Sequence, residues 1–109
     1  MVKVANSQFV CLKDGFDANV NRALEIADNA SSQNVDILLF QELFQTKYFC
    51  STKNNDFFNL AIEFPDHSIF QKFSNFCKAK NMVIPISFFE KYQDKYFNSL
   101  IVIDANGSL

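Results

Sequence analysis

Hydrophobic positions change period along this chain, and each change predicts an element. Over residues 2–10 the β-branched and aromatic residues Val2, Val4 and Phe9 alternate with others, and the Lys13-Asp14-Gly15 turn signal follows, so this stretch predicts a first strand. Asp17 then stands where it can cap a helix running to about residue 32. Val20, Ala23, Leu24, Ala27 and Ala30 share one face of that helix, with Asn21, Arg22, Glu25 and Asp28 around them. Asn34 suits a left-handed stop. Residues 35–40 form an almost unbroken apolar run ending at Gln41-Glu42, which reads as a second strand buried on both faces.

Regularity lapses over residues 47–66, where a polar loop, 51–56, precedes a short apolar piece, 57–64. Ser68-Ile69-Phe70-Gln71 has the form of a capping box and opens a second helix with Ile69, Phe73, Phe76 and Cys77 on one stripe, ending near Lys80-Asn81. Residues 82–89 predict a third strand and 98–104 a fourth, closed by the turn Ala105-Asn106-Gly107-Ser108. The order β-α-β-α-β-β predicts an α/β sheet. Its first crossovers should be parallel, and the short 91–97 link lets the fourth strand pair antiparallel with the third.

The second strand alternates Ile37 and Leu39 against Leu38 and Phe40, and the third alternates Val83, Pro85 and Ser87 against Ile84, Ile86 and Phe88. Two helices cover one face only. Apolar residues on both faces therefore call for another layer, expected over Leu38, Phe40 and their neighbours in the third strand.

Composition narrows the class. With 49% apolar and 20% charged residues over 109 positions, the chain suits one small folded domain. A net charge of −2 with dispersed Lys and Arg offers no basic stripe, so a nucleic-acid partner is not expected. No apolar run approaches the roughly 20 residues of a spanning helix, and the first residues lead straight into a strand, so no membrane association and a cytoplasmic setting are expected. Cys11, Cys50 and Cys77 are odd in number and lack C-x-x-C spacing, which argues against a disulfide framework and a zinc site. His67, the lone histidine, reads as a surface residue, so no metal is expected. No glycine-rich phosphate loop follows the first strand.

The candidate chemistry centres on Glu42. A carboxylate at the carboxyl end of a buried strand stands where open α/β sheets hold ligands, and burial would lift its pKa toward that of a working base. On strand geometry alone, a half-exposed acid that merely ends a strand is the competing reading. Tyr48 and Phe49, on the loop beyond, could wall a substrate pocket or simply pack beneath the loop. Glu90, ending the third strand, is a weaker second carboxylate and reads rather as a solvated strand end.

The segments VKVANSQF, QELFQTKYFC, VIPISFFEK and YFNSLIVIDANG together resemble, in order and spacing, the amino-terminal part of the nitrilase-type carbon–nitrogen hydrolases, and within them the N-carbamoylputrescine amidase branch. The resemblance implies the amino-terminal portion of a four-layer α-β-β-α sandwich whose second sheet comes from a downstream half. It implies a cofactor-free amidohydrolase acting on a small-molecule amide or carbamoyl substrate, homo-oligomeric at full length, with a glutamate, a lysine and a cysteine at its centre. Glu42 falls at the glutamate, the general base. Cys50 falls at a non-catalytic cysteine of the same YFC string, and Asn98 at an asparagine that supports the glutamate loop. The lysine and the nucleophile have no matching positions here, so residues 1–109 are expected to be a partial domain, truncated at the carboxyl end. A non-catalytic α/β module that associates with another chain is the alternative.

Overall fold

In the computed structural model, which describes residues 1–109, the chain forms β1 (Val4–Asn6), α1 (Phe16–Ser32), β2 (Ile37–Leu39), a short 3-10 helix (Asn55–Leu60), α2 (Ser68–Lys80), β3 (Ile84–Tyr92) and β4 (Lys95–Ile103). β1 lies parallel to β2 with Val4 beside Ile37 and Asn6 beside Leu39. A parallel bridge from Ile37 to Val83 joins β2 to the start of β3. There the Leu38 N–H donates to the Val83 carbonyl at 3.0 Å, and the Val83 N–H to the Asp36 carbonyl at 2.8 Å. β3 and β4 form an antiparallel hairpin paired from Ile84–Ile103 to Tyr92–Lys95. The sheet therefore runs β1-β2-β3-β4. The hairpin is longer than the predicted strands, because pairing continues to a two-residue turn at Gln93-Asp94, with Gln93 at φ 57°.

β1 is shorter than predicted. Its partner β2 ends at Leu39; after a last bond from the Ser7 N–H to the Leu39 carbonyl (2.8 Å), the chain leaves the sheet. α1 starts at Gly15 with no side-chain cap. Asp17 does not cap, and instead puts a carboxylate in the first turn, where the helix dipole favours it. Asn34 takes the left-handed conformation expected of it, φ 59°. The capping residue of α2 is His67, not Ser68: its Nδ1 accepts the Ile69 N–H at 3.3 Å. Asn81 closes that helix at φ 54°.

Both helices pack on one face of the sheet. Val20, Ala23 and Ala27 of α1 and Ile69, Phe70, Phe73 and Cys77 of α2 bury Leu38, Phe40, Ile84, Ile86, Phe88 and Ile103. The alanine spacing of α1 lets that helix approach closely, while the rings of Phe40, Phe44 and Phe73 stack edge-on or tilted at 5.0–6.1 Å between centroids. This reverses the sequence-based assignment of faces. Leu38 and Phe40 lie under the helices, and Leu39 is 44% exposed, so β2 is covered on one side within these residues. The Ile37–Val83 bridge puts Leu38 in phase with Ile84 and so decides which half of the alternation meets the helices.

His67 is not a free surface residue. It is half-buried, with its ring 5.1 Å from that of Phe16, so it ties the start of α1 to the start of α2. Burial depresses its pKa below the ordinary value of 6.5, with Asp17 raising it and Lys72 lowering it by smaller amounts. The folded state thus prefers neutral His67, the form that can accept the Ile69 N–H. As pH falls through about 6.5 toward the lower folded-state value, the unfolded chain takes up the proton first and stability is lost. Thermal unfolding between pH 8 and 5 should show Tm falling in that window. In His67→Asn, which keeps a capping acceptor without titrating, the fall should shrink; an unchanged pH profile in that variant would refute the role.

Candidate active site

At the carboxyl end of β2 the chain makes a sharp turn over residues 41–46, held from several sides. The Gln41 amide grips the backbone of Phe9, its Nε2 donating to the Phe9 carbonyl (2.6 Å) and its Oε1 accepting the Phe9 N–H (3.3 Å). Gln41 Nε2 also donates to Cys11 Sγ (3.3 Å), and that thiol lies 3.1 Å from the Phe44 carbonyl it donates to. Leu43, 2% exposed, adopts φ 54°. A left-handed non-glycine residue costs about 1–2 kcal/mol and persists only where its surroundings over-determine it. Here the Leu43 N–H donates to Ser87 Oγ (3.2 Å), the Thr46 N–H closes on the Leu43 carbonyl (3.2 Å), and Gln45 Nε2 donates to the Ser87 carbonyl (2.8 Å).

The turn carries Glu42 to the sheet face that the helices leave uncovered. There its Oε1 accepts a hydrogen bond from Asn98 Nδ2, on β4 opposite Phe89. Glu42 is exposed, so the desolvation expected of a buried strand end is not supplied within these residues. Tyr48 stands beside it, and the negative charge of Glu42, followed by Cys50, raises the phenol's pKa by favouring its neutral form. The structure thus brings Glu42, Asn98 and Tyr48 together, with Cys50 at their margin. Phe49 turns away into an aromatic cluster, 5.3 Å from Phe57 and 5.1 Å from Phe89, and Phe89 packs in turn on Phe58 and Tyr96. The cluster borders the Asn98 end of the site, and Phe49 both packs in it and lines a cavity with Cys50, Phe57 and Phe89.

Glu90 is not a solvated strand end. It is half-buried on the helix-covered face, where Ser99 Oγ donates to its Oε2, and cannot act with Glu42 across the sheet. Cys77 is fully buried, and desolvation pushes its thiol up to about 11, which removes the thiolate at neutral pH. Burial also raises Cys11, partly offset by the Gln41 hydrogen bond. Cys50 is exposed. No three His, Cys, Asp or Glu side chains gather as metal ligands, and no helix is long and apolar enough to cross a membrane.

Sequence reading missed Asn19, Gln45 and Ser87, which hold the turn. Asn19 did carry a signal, for it falls in helical phase with Phe16 and Ala23 on the face that had to be buried.

A parallel-to-antiparallel α/β sheet with helices on one face and a braced glutamate at the end of its second strand defines a class, and residues 3–109 match the carbon-nitrogen hydrolase family model: the chain belongs to that family. The N-carbamoylputrescine amidase of Solanum lycopersicum is 37% identical over 108 residues, which are 99% of this chain and 36% of that protein. The enzyme of the same name from Arabidopsis thaliana is 36% identical over 107 residues, 98% of this chain and 36% of that one. A citrullinase from Francisella tularensis is 34% identical over 80 residues, 73% of this chain and 28% of that protein. Among solved structures, a carbon-nitrogen hydrolase from Helicobacter pylori G27 superposes with a TM-score of 0.86 at 24% identity, covering 98% of this chain and 37% of that one. The chain spans about a third of the length of these relatives.

Proposed function

We propose that this chain supplies the general base of an amidohydrolase that cleaves a linear carbon–nitrogen bond, with N-carbamoylputrescine as the substrate and putrescine, ammonia and carbon dioxide as products, a step of polyamine synthesis in the cytoplasm. The reading rests on one observation above all: Glu42, lifted by a left-handed Leu43 and braced by Asn98, presents its carboxylate on the uncovered sheet face. The names of the four amidases that match nearly the whole chain support the substrate class.

In the proposed reaction Glu42 takes the proton of a cysteine thiol, and the thiolate attacks the carbamoyl carbon. A thiol with a pKa of roughly 8.5 is mostly protonated at neutral pH, so a base at this position raises the fraction of nucleophile. Protonated Glu42 then returns the proton to the departing putrescine nitrogen, water cleaves the S-carbamoyl intermediate and restores the thiol, and the carbamic acid released breaks down to ammonia and carbon dioxide. A lysine ammonium aimed at the developing oxyanion would stabilise the tetrahedral state. Within residues 1–109 the resemblance assigns only the glutamate of that triad. Tyr48 would line the substrate entrance, and the protein with its full triad would be homo-oligomeric.

The test is ammonia release from N-carbamoylputrescine, with citrulline as a parallel substrate. The 109-residue chain alone should release none. In a protein joining this chain to the lysine and cysteine, Cys50→Ala should keep at least about half of the rate, the thiol lying outside the reacting set. Turnover by the 109-residue chain that vanishes on Cys50→Ala would overturn the assignment. A second reading, a non-catalytic α/β module that associates with another chain, is favoured by the exposed Leu39, Leu100 and Val102 on the same open face.

A further inference from the structure

The buried polar side chains of this protein are Asn19, Gln45 and Thr46. Two belong to the Glu42 turn itself, and the third, Asn19, reaches it from the first turn of α1. Asn19 is 2% exposed and its amide is saturated: Oδ1 accepts the Leu12 N–H (2.9 Å), while Nδ2 donates both to the Leu12 carbonyl (3.0 Å) and to the Gln45 carbonyl (3.0 Å). No hydrophobic residue can meet those three backbone groups, and the Gln45 carbonyl, whose bond to Nδ2 is buried, is costly to leave unpaired. The amide therefore locks the segment that follows β1 and the turn that follows β2 to one point on α1. From the opposite side Ser87 of β3 holds the same turn through Leu43 and Gln45.

We infer that Asn19 is a positioning residue for Glu42: it clamps the turn against α1 while Ser87 clamps it against β3, and the pair fixes the left-handed Leu43 conformation that aims the carboxylate at Asn98. Its side chain touches neither Glu42 nor the open face, and it acts through the Gln45 carbonyl alone. The catalytic half of this inference rests on the proposed role of Glu42, while the structural half does not. A fully satisfied buried polar network specifies a single arrangement where an apolar contact would allow several, which is what an exposed base carried on a buried turn requires.

The experiment compares Asn19→Leu, close in shape but without the amide, with Ser87→Ala, which removes the other clamp, and with Ile103→Val, a mild core change away from the turn. Amide hydrogen exchange read by mass spectrometry should speed by at least about tenfold at Leu12, Leu43 and Thr46 in Asn19→Leu and at Leu43 in Ser87→Ala, with α2 and the β3–β4 hairpin unchanged. Ile103→Val should leave those sites as they are. In a protein carrying the full triad, Asn19→Leu should lower kcat by about 10–100-fold with KM little changed, the signature of a misplaced catalytic group. Exchange that stays slow at the turn, or that rises evenly through the whole chain, would overturn the inference. So would a loosened turn with normal kcat in a protein that Glu42→Gln inactivates. If Glu42→Gln proves fully active, the proposed function fails, and hydrogen exchange alone decides whether Asn19 holds the turn. If Asn19→Leu does not fold, Asn19→Ser, which keeps a small polar side chain but cannot span to both Leu12 and Gln45, takes its place with the same expected exchange and the same overturning results.

Discussion

Glu42→Gln, in a protein that joins this chain to the lysine and cysteine of the proposed triad, is expected to lower kcat by about 10²–10⁴-fold, the usual contribution of a positioned base, with Tm almost unchanged. The amide oxygen of Gln can still accept from Asn98 Nδ2, so the brace survives. Glu42 is exposed, and exposed substitutions usually shift stability by no more than about 0.5 kcal/mol. What the amide lacks is basicity: it cannot take the thiol proton, and the nucleophile stays mostly protonated. Measuring kcat and KM for N-carbamoylputrescine beside a thermal melt separates the outcomes. Loss of kcat with an intact melt supports the base. Near-normal turnover would sink the assignment, and a collapsed melt would mean that the Glu42–Asn98 bond holds the sheet together rather than serving chemistry.

The sequence made the two helices and the β3–β4 hairpin legible because their patterns are long: Val20, Ala23 and Ala27 recur at helical spacing, and Ile84, Ile86 and Phe88 alternate over a strand of ordinary length. The position of Glu42 was legible for a related reason, since a polar pair ending an apolar run marks where a buried strand stops. Exposure was not legible. Whether Leu38 or Leu39 turns to the helices depends on the Ile37–Val83 bridge, a contact between residues 46 positions apart, and a run apolar on both faces carries no phase of its own. The caps failed for a local reason. Asp17 and Ser68 are good capping residues, but each lies inside its helix, one or two positions beyond the residue that begins it, Gly15 or His67. The bracing of the turn was hidden because most of it runs through backbone atoms of Phe9, Leu12, Gln45 and Ser87, whose side chains give no hint of the partners they meet.

The 109-residue chain on its own is expected to self-associate through the sheet face that the helices leave bare. Sequence alternation pointed to Leu38 and Phe40 as the exposed set; the structure moves the expectation to their neighbours. Val4 is 65%, Leu39 44%, Leu100 60% and Val102 50% exposed, and the register sets Leu100 beside Ser87 and Val102 beside Pro85 on one surface. Soluble monomers rarely leave contiguous apolar patches beyond a few hundred Å². Covering about 400 Å² at about 25 cal/mol per Å² returns about 10 kcal/mol before costs, comparable with the roughly 4–15 kcal/mol lost in bringing two bodies together. Association should therefore depend steeply on concentration. Sedimentation across a hundredfold dilution series, with an apolar fluorescent dye as a second probe, should show species heavier than 12.5 kDa that dissociate on dilution. Replacing Leu100 with Lys and Val102 with Glu, both on β4 and both outward, should leave the helix-side core intact and give a monomer with weaker dye binding. A compact monomer that binds no dye at any concentration would mean that this face is not sticky in water, and the association reading of the chain would fall with it.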